Sequence, residues 1–158
     1  MAAVRSISRL LSQRSVSQIV RRGYADEMSF TFAAGNQVFY ESASVRQVDV
    51  PSFSGAFGIL PKHVPTLAVL KPGVITVTEN DGSIKKVFVS SGTVTINEDS
   101  SVQVIAEEAA TLDQLDLAAA KETLSSALSQ MNSAQSEKEK AEAAIAVEVA
   151  ETIVKSIE

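Results

Sequence analysis

His63 is the single histidine of a 158-residue chain without cysteine, which makes it the one side chain whose ordinary pKa lies near neutrality. To act as a general acid or base it needs a partner held within hydrogen-bond reach. None of Asp, Glu, Cys or Ser lies in residues 58–71, so any partner must come from elsewhere in the fold. Carboxylate pairs are the other chemistry on offer, as Glu107 with Glu108 or Glu98 with Asp99. Hydrolysis by two carboxylates needs both to flank one bond. Neighbouring strand residues point to opposite faces, and both pairs border expected turns, so solvated charge is their expected role. The loops GxxxxGK[ST] and GxGxxG, the elbow GxSxG and the helix HExxH are all absent. The sequence therefore predicts no catalytic, metal or cofactor-binding residues and no cofactor. The alternative is a small soluble β-sandwich that binds or hydrolyses a ligand with His63.

The elements around these residues fall into two grammars. From Met28 to about Ala106 apolar residues recur with period two, as in half-buried strands. Met28, Phe30 and Phe32 share one face, and further strands are predicted at 37–40, 45–50, 74–78, 84–89, 93–96 and 102–105. Gly35-Asn36, Asn80-Asp81-Gly82, Ser91-Gly92 and Asn97-Glu98-Asp99 supply the turns, and Asp-Gly between apolar runs predicts a hairpin. Pro61 and Pro65 predict an extended or turning loop over 59–65. Many short strands without intervening helices imply an antiparallel sandwich or barrel.

After Ala106 the chain turns to Ala, Leu, Glu, Lys and Gln with no Gly or Pro, the composition of helix. Asp113 is the expected cap of a first helix to about Gln130, packed through Leu117, Leu124 and Leu128. Asn132-Ser133 breaks the pattern, and a second helix packs through Ile145, Val149 and Ile153. A short connection makes the two an antiparallel hairpin. A second apolar side, Ala143, Val147, Ala150 and Val154, is more than one partner helix requires. The fold class is thus α+β, an N-terminal antiparallel β-sandwich at 25–110 followed by a two-helix hairpin at 111–158.

Charge sets the first residues apart. Of the 14 Lys and Arg, five Arg fall in residues 1–24, which hold no acid, so 25–158 carries nine basic groups against all 19 acids, a net charge of −10. Arg-rich, Ser-rich, acid-poor and amphipathic describes a mitochondrial presequence. Arg22-Gly23-Tyr24 resembles a processing site, with cleavage expected after Tyr24. A basic arm for nucleic acid or a membrane surface is the competing reading. A body at −10 suits no phosphate backbone, so no nucleic-acid partner is expected. No apolar run approaches the roughly 18–20 residues of a membrane span.

The stretch Gly58-Ile59-Leu60-Pro61-x-His63-x-Pro65-x-Leu67-x-x-Leu70-Lys71-Pro72-Gly73 resembles the signature of the small central-stalk subunit of rotary ATP synthases, called delta in mitochondria and epsilon in bacteria and chloroplasts. The opening strand, Ser90-Ser91-Gly92-Thr93-Val94 and Leu115-Asp116-Leu117-Ala118 fall in family order, so the resemblance spans residues 28–157. It implies a non-catalytic rotor part on the matrix side of the mitochondrial inner membrane. The implied partners are the gamma subunit, the membrane c-ring and the small mitochondrial epsilon subunit. By correspondence Ser52, Phe53, Ser54, Gly55, Ala56 and Phe57, after Pro51, form the ring-facing loop. Here they are apolar and hydroxyl-bearing where bacterial relatives carry acids. Residues from His63 to Leu70 correspond to the gamma side. Where many bacterial relatives place an ATP-binding arginine at the start of the first helix, this chain has Ala119, which implies no ATP sensing and a hairpin held down.

Overall fold

The computed structural model describes residues 28–158. The expected presequence and the cleavage site after Tyr24 lie outside the described residues. Nine strands come first: β1 (Met28–Ala34), β2 (Val38–Ser52), β3 (Gly55–Ile59), β4 (Thr66–Leu70), β5 (Gly73–Glu79), β6 (Ile84–Val89), β7 (Gly92–Ile96), β8 (Val102–Ala106) and β9 (Ala109–Thr111). A 3₁₀ turn at Leu112–Gln114 leads into α1 (Leu117–Ser133) and α2 (Glu137–Ile157).

Period-two burial makes the sandwich. Met28, Phe30 and Phe32 of β1 point inward, as do Val102, Val104 and Ala106 of β8 and Ile75 and Val77 of β5. One layer is β9-β6-β5-β2 with β3 beside β2, and the other is β1-β8-β7-β4. β2 belongs to both, because its first half pairs with β1 and its last residue, Ser52, reaches Leu70 of β4. All pairings are antiparallel except β1 with β8, which run parallel from Phe30↔Val102 to Ala34↔Ala106. Aromatic rings fill one end of the core, with Phe32 stacked on Phe39 at 4.8 Å and Phe30 tilted against Tyr40 at 5.3 Å. Gly92 has to be glycine for space, since a Cβ there would lie 2.3 Å from the Ile105 carbonyl oxygen.

Three stretches differ from the sequence expectation. The two strands expected at 37–40 and 45–50 are one 15-residue strand, β2 (Val38–Ser52), which absorbs a register shift near Ser42 at φ 47°. Residues 51–57 are no open loop: Pro51 and Ser52 end β2, Gly55 begins β3, and only Phe53 and Ser54 turn. The motif stretch also contains a strand, β4, so its connecting loop is just 60–65. There Lys62 adopts φ 64° after Pro61, and His63 N–H closes the turn on the Leu60 carbonyl at 3.1 Å. The Asp81-Gly82 hairpin forms as expected, with Gly82 at φ 87° and the Asp81 carboxylate accepting from Ser83 N–H at 2.8 Å.

In the hairpin, Asp116 is the cap of α1, accepting from the amides of Ala118 and Ala119 at 2.7 and 3.4 Å. The expected cap, Asp113, sits inside the preceding 3₁₀ turn. Ser136 and Glu139 cap α2 reciprocally. The buried residues of the two helices are Ala120, Ala127, Ala143 and Ala150, seven apart on each helix. Leu117 and Leu124 are half-buried, whereas Leu128 is 37% and Ile145 63% exposed. Leu128 and Ile145 are thus not buried in the hairpin, where the buried positions go to alanine, whose small side chain lets two backbones approach. Val149 and Ile153 turn toward the sandwich instead. Phe88, buried but separate from the sandwich core, shares a cavity with them and with Leu115. Phe88 is on the outer face of its sheet, so it anchors the hairpin from outside.

Candidate functional site

The motif residues divide by the direction each strand gives them. Ile59 and Leu70 are fully buried, and Gly73 packs so tightly that a Cβ would lie 2.8 Å from that of Pro51. These positions build the core. Leu60 is 53% exposed, Val64 69%, and Pro65 is also at the surface. Pro61, His63 and Pro72 are half-buried. At the β2–β3 tip, Ser52 is buried and its hydroxyl donates to the Gly55 carbonyl at 2.7 Å, with Ser54 Oγ at 2.9 Å. Phe53 is thereby held outward, 73% exposed, beside exposed Ser54, Gly55 and Ala56. Phe57 packs against the core and stands 6.0 Å from the His63 ring.

Among the described residues the His63 ring makes no hydrogen bond to an acid or a hydroxyl. Its Nδ1 lies 2.9 Å from the Val64 carbonyl oxygen, a contact with its own neighbour. The carboxylate pairs are likewise occupied in turns or solvated. Asp99 accepts from the hydroxyl and amide of Ser101 at 2.6 and 2.9 Å, which hold its carboxyl below the usual range. Glu107 and Glu108 are exposed where β8 bends into β9, and their carbonyls accept from Gly35 and Ser90. Among the described residues no group of three or more His, Cys, Asp or Glu could hold a metal ion. Likewise, none of the described helices is long and apolar enough to cross a membrane.

What the strands assemble instead is an uncharged face. Register places Val69, Thr93, Ile105 and Ala33 in one row across β4, β7, β8 and β1. The next row is Leu67, Thr95, Gln103 and Thr31. None of the eight is charged, in a chain with 21% charged residues. Leu67 is 73% exposed, Val69 54% and Ile105 63%. Exposed apolar residues clustered on one side mark an interaction surface, and loss of charge is what distinguishes an interface core. Phe53 at the hairpin tip is likewise exposed and shares a concavity with Val69, and Leu60 and Val64 are exposed in the loop that leads into β4. Thr93, Thr95, Gln103 and Ile105 are not distinguishable in the sequence, because their outward alternation with buried Val94 and Val104 is ordinary for a strand. Only pairing across four strands brings them into one patch.

A second concavity of about 790 Å³ opens between α2 and the sandwich. Phe53, Val69, Pro72, Ile145, Val149 and Ile153 supply its apolar wall, and Glu107, Glu108 and Glu148 also line it. Ala119 is exposed on the first turn of α1, in a shallow cavity with Glu122, Thr123 and Gln130 whose lining includes no Lys or Arg side chain.

Sequence and structure comparisons decide the family. Residues 27–111 match the profile of the ATP synthase Delta/Epsilon chain beta-sandwich domain. Residues 115–156 match that of the metazoan delta subunit of F1F0-ATP synthase, C-terminal domain. The mitochondrial ATP synthase subunit delta of Caenorhabditis elegans is 42% identical over 150 residues, covering 89% of this chain and 91% of that protein. The chain belongs to the mitochondrial ATP synthase delta-subunit family. The corresponding subunit of Saccharomyces cerevisiae is 36% identical over 156 residues, covering 95% of this chain and 96% of that one. The fold also matches a chain in the Euglena gracilis mitochondrial ATP synthase OSCP/F1/c-ring structure. There the TM-score is 0.78 at 20% identity, over 84% of this chain and 82% of that chain. Members of the delta-subunit family are non-catalytic parts of a larger enzyme.

Proposed function

We propose that the chain is a rotor subunit of the central stalk, linking the gamma subunit to the membrane c-ring on the matrix side of the mitochondrial inner membrane. The observation that carries this reading is the uncharged face of β1, β8, β7 and β4, which suits a tight fit to gamma. The tip around Phe53, Ser54, Gly55 and Ala56 meets the polar loops of the c-ring. The groove beside α2 seats the small epsilon subunit. Rotation passes through these contacts by shape and rigidity, with no reaction on this chain. The hairpin stays docked and does not sense ATP, since Ala119 leaves no cation for a triphosphate.

Charge on the uncharged face tests the reading. Val69→Asp and Ile105→Asp change side chains that point to solvent, so the isolated protein keeps its unfolding midpoint. Incorporation into ATP synthase, read by blue-native electrophoresis of mitochondria, should fall more than about 10-fold, the cost of burying an unpaired charge. Normal incorporation of both variants would overturn the reading. Calorimetric titration of ATP should show no binding, and a millimolar or tighter dissociation constant would refute the claim about Ala119.

A further inference from the structure

β3 is an open edge. It pairs with β2 alone, and among the described residues no strand lies along its other side. Its bonding directions follow from its neighbour. The Pro51 carbonyl of β2 accepts from Lys71 N–H, and Phe53 N–H just beyond the strand donates to the Val69 carbonyl, so the odd-numbered residues at this end of β2 turn their backbone groups toward β4. Val48, Val50 and Ser52 therefore face β3, where they pair with Ile59, Phe57 and Gly55. Ala56 and Gly58 are left with N–H and C=O directed outward, the two-residue spacing an added strand requires.

Natural sheets guard such edges with charge, proline, a bulge or a cover. Residues 55–59, Gly-Ala-Phe-Gly-Ile, carry no proline and no charge, and Gly55, Ala56 and Gly58 are exposed. The side chain nearest this edge comes from β2. A Cβ on Gly58 would lie 2.7 Å from Asp49 Oδ1, so glycine leaves the carboxylate lying across the strand. Gln47 Nε2 donates to that same oxygen at 2.8 Å, fixing the carboxylate in place. Asp49 is the only acid in residues 42–78, which makes it a single negative mark on an otherwise neutral or basic stretch.

We infer that the outer edge of β3 receives an extended segment of a neighbouring stalk subunit as an additional strand, with Lys or Arg opposite Gly58 paired to Asp49. Main-chain bonds at Ala56 and Gly58 supply the attachment, and the Asp49 carboxylate sets the register. This rests on the seat in the central stalk proposed above.

Hydrogen exchange by mass spectrometry compares peptides spanning 55–59 in the purified chain and in intact ATP synthase. The amides of Ala56 and Gly58 should exchange quickly in the free chain and at least about 10-fold more slowly in the complex. Equal exchange in both would overturn the inference. Ala56→Pro removes one outward N–H at an edge position that tolerates proline. Its incorporation into the enzyme should fall, while Asp49→Asn weakens it less. Exchange in the wild-type complex is decisive even if Ala56→Pro does not fold. A concentration-dependent dimer of the free chain that Ala56→Pro abolishes would assign the edge to a second copy and refute the inference. If Val69→Asp blocks incorporation while Ala56→Pro assembles normally, the edge fails and the stalk reading stands. If neither substitution affects incorporation, the stalk reading fails.

Discussion

The sandwich and the helical hairpin are held together by opposite means. The sandwich buries large side chains completely, among them Phe30, Phe32, Ile59, Leu70 and Ile75. The hairpin buries four alanines along its helices and otherwise leans on Phe88. Alanine brings close backbones but little area, at about 25 cal/mol per Å² buried. One unit is thus stabilised by its own interior and the other by what it rests against. The lesson is a division of labour: a rigid block that can present a surface, and an attachment whose order depends on its seat.

Four measurements would break or sharpen this contrast. The largest effect belongs to the core: Phe30→Ala should cost about 3–5 kcal/mol in chemical denaturation of the mature protein and weaken every element of the sandwich. Phe88→Ala should cost about 1.5–3 kcal/mol, read as lost amide protection in α1 and α2 while the β1 and β8 amides stay protected. If β1 opens equally, the two units are one cooperative block and the contrast is wrong. Asp116→Ala removes the α1 cap and should cost about 1 kcal/mol, confined to the hairpin.

The smallest effect is on pH dependence. Lys85, at 2.7 Å, together with Ser83 and Tyr40, holds the Glu79 carboxyl below its ordinary value of 4.5. Its contribution is complete above pH 4.5 and lost as pH falls through the lowered value. Burial, then the bond to Glu79, pushes Tyr40 from 10.0 to about 12. That stability is complete below pH 10 and lost as pH rises toward about 12. Glu79→Gln should flatten the acid limb of a stability profile and Tyr40→Phe the alkaline limb. Unchanged limbs would show that this end of the sandwich is not tied down by the cluster.

Where pattern is local, the sequence shows it plainly. Met28, Phe30 and Phe32 announce β1, Asp81-Gly82 its hairpin, and the long run without Gly or Pro the two helices. β3 and β4 hide because Gly55, Gly58, Pro61 and Pro65 read as loop, although glycine at an edge and proline between strands are compatible with pairing. Asp113 and Asp116 are equally good caps in isolation. The 3₁₀ turn, closed by Leu115 N–H on the Leu112 carbonyl, decides between them. The helix seam misleads because hydrophobicity ranks Leu128 and Ile145 above Ala127 and Ala143, while close approach ranks them in reverse. The tip at residues 52–57 and the segment from His63 to Leu70 enter the candidate contact surface through the family resemblance, which a contiguous motif can carry. The other half of that surface is contributed by β1, β7 and β8, and no spacing within one segment reports a row that crosses four strands.

The parallel pairing of β1 with β8 also governs when the protein can become itself. β1 meets β2 almost at once, through a short turn, but its second side waits for residues 102–106. Closing a loop of that length delays the step, since distant contacts pay their entropy before they return it. A chain entering a compartment amino-terminus first cannot lock its sandwich until most of the strands have arrived. Until then the first strand stays half-satisfied and the polypeptide remains threadable, so the order of strands acts as a clock on folding.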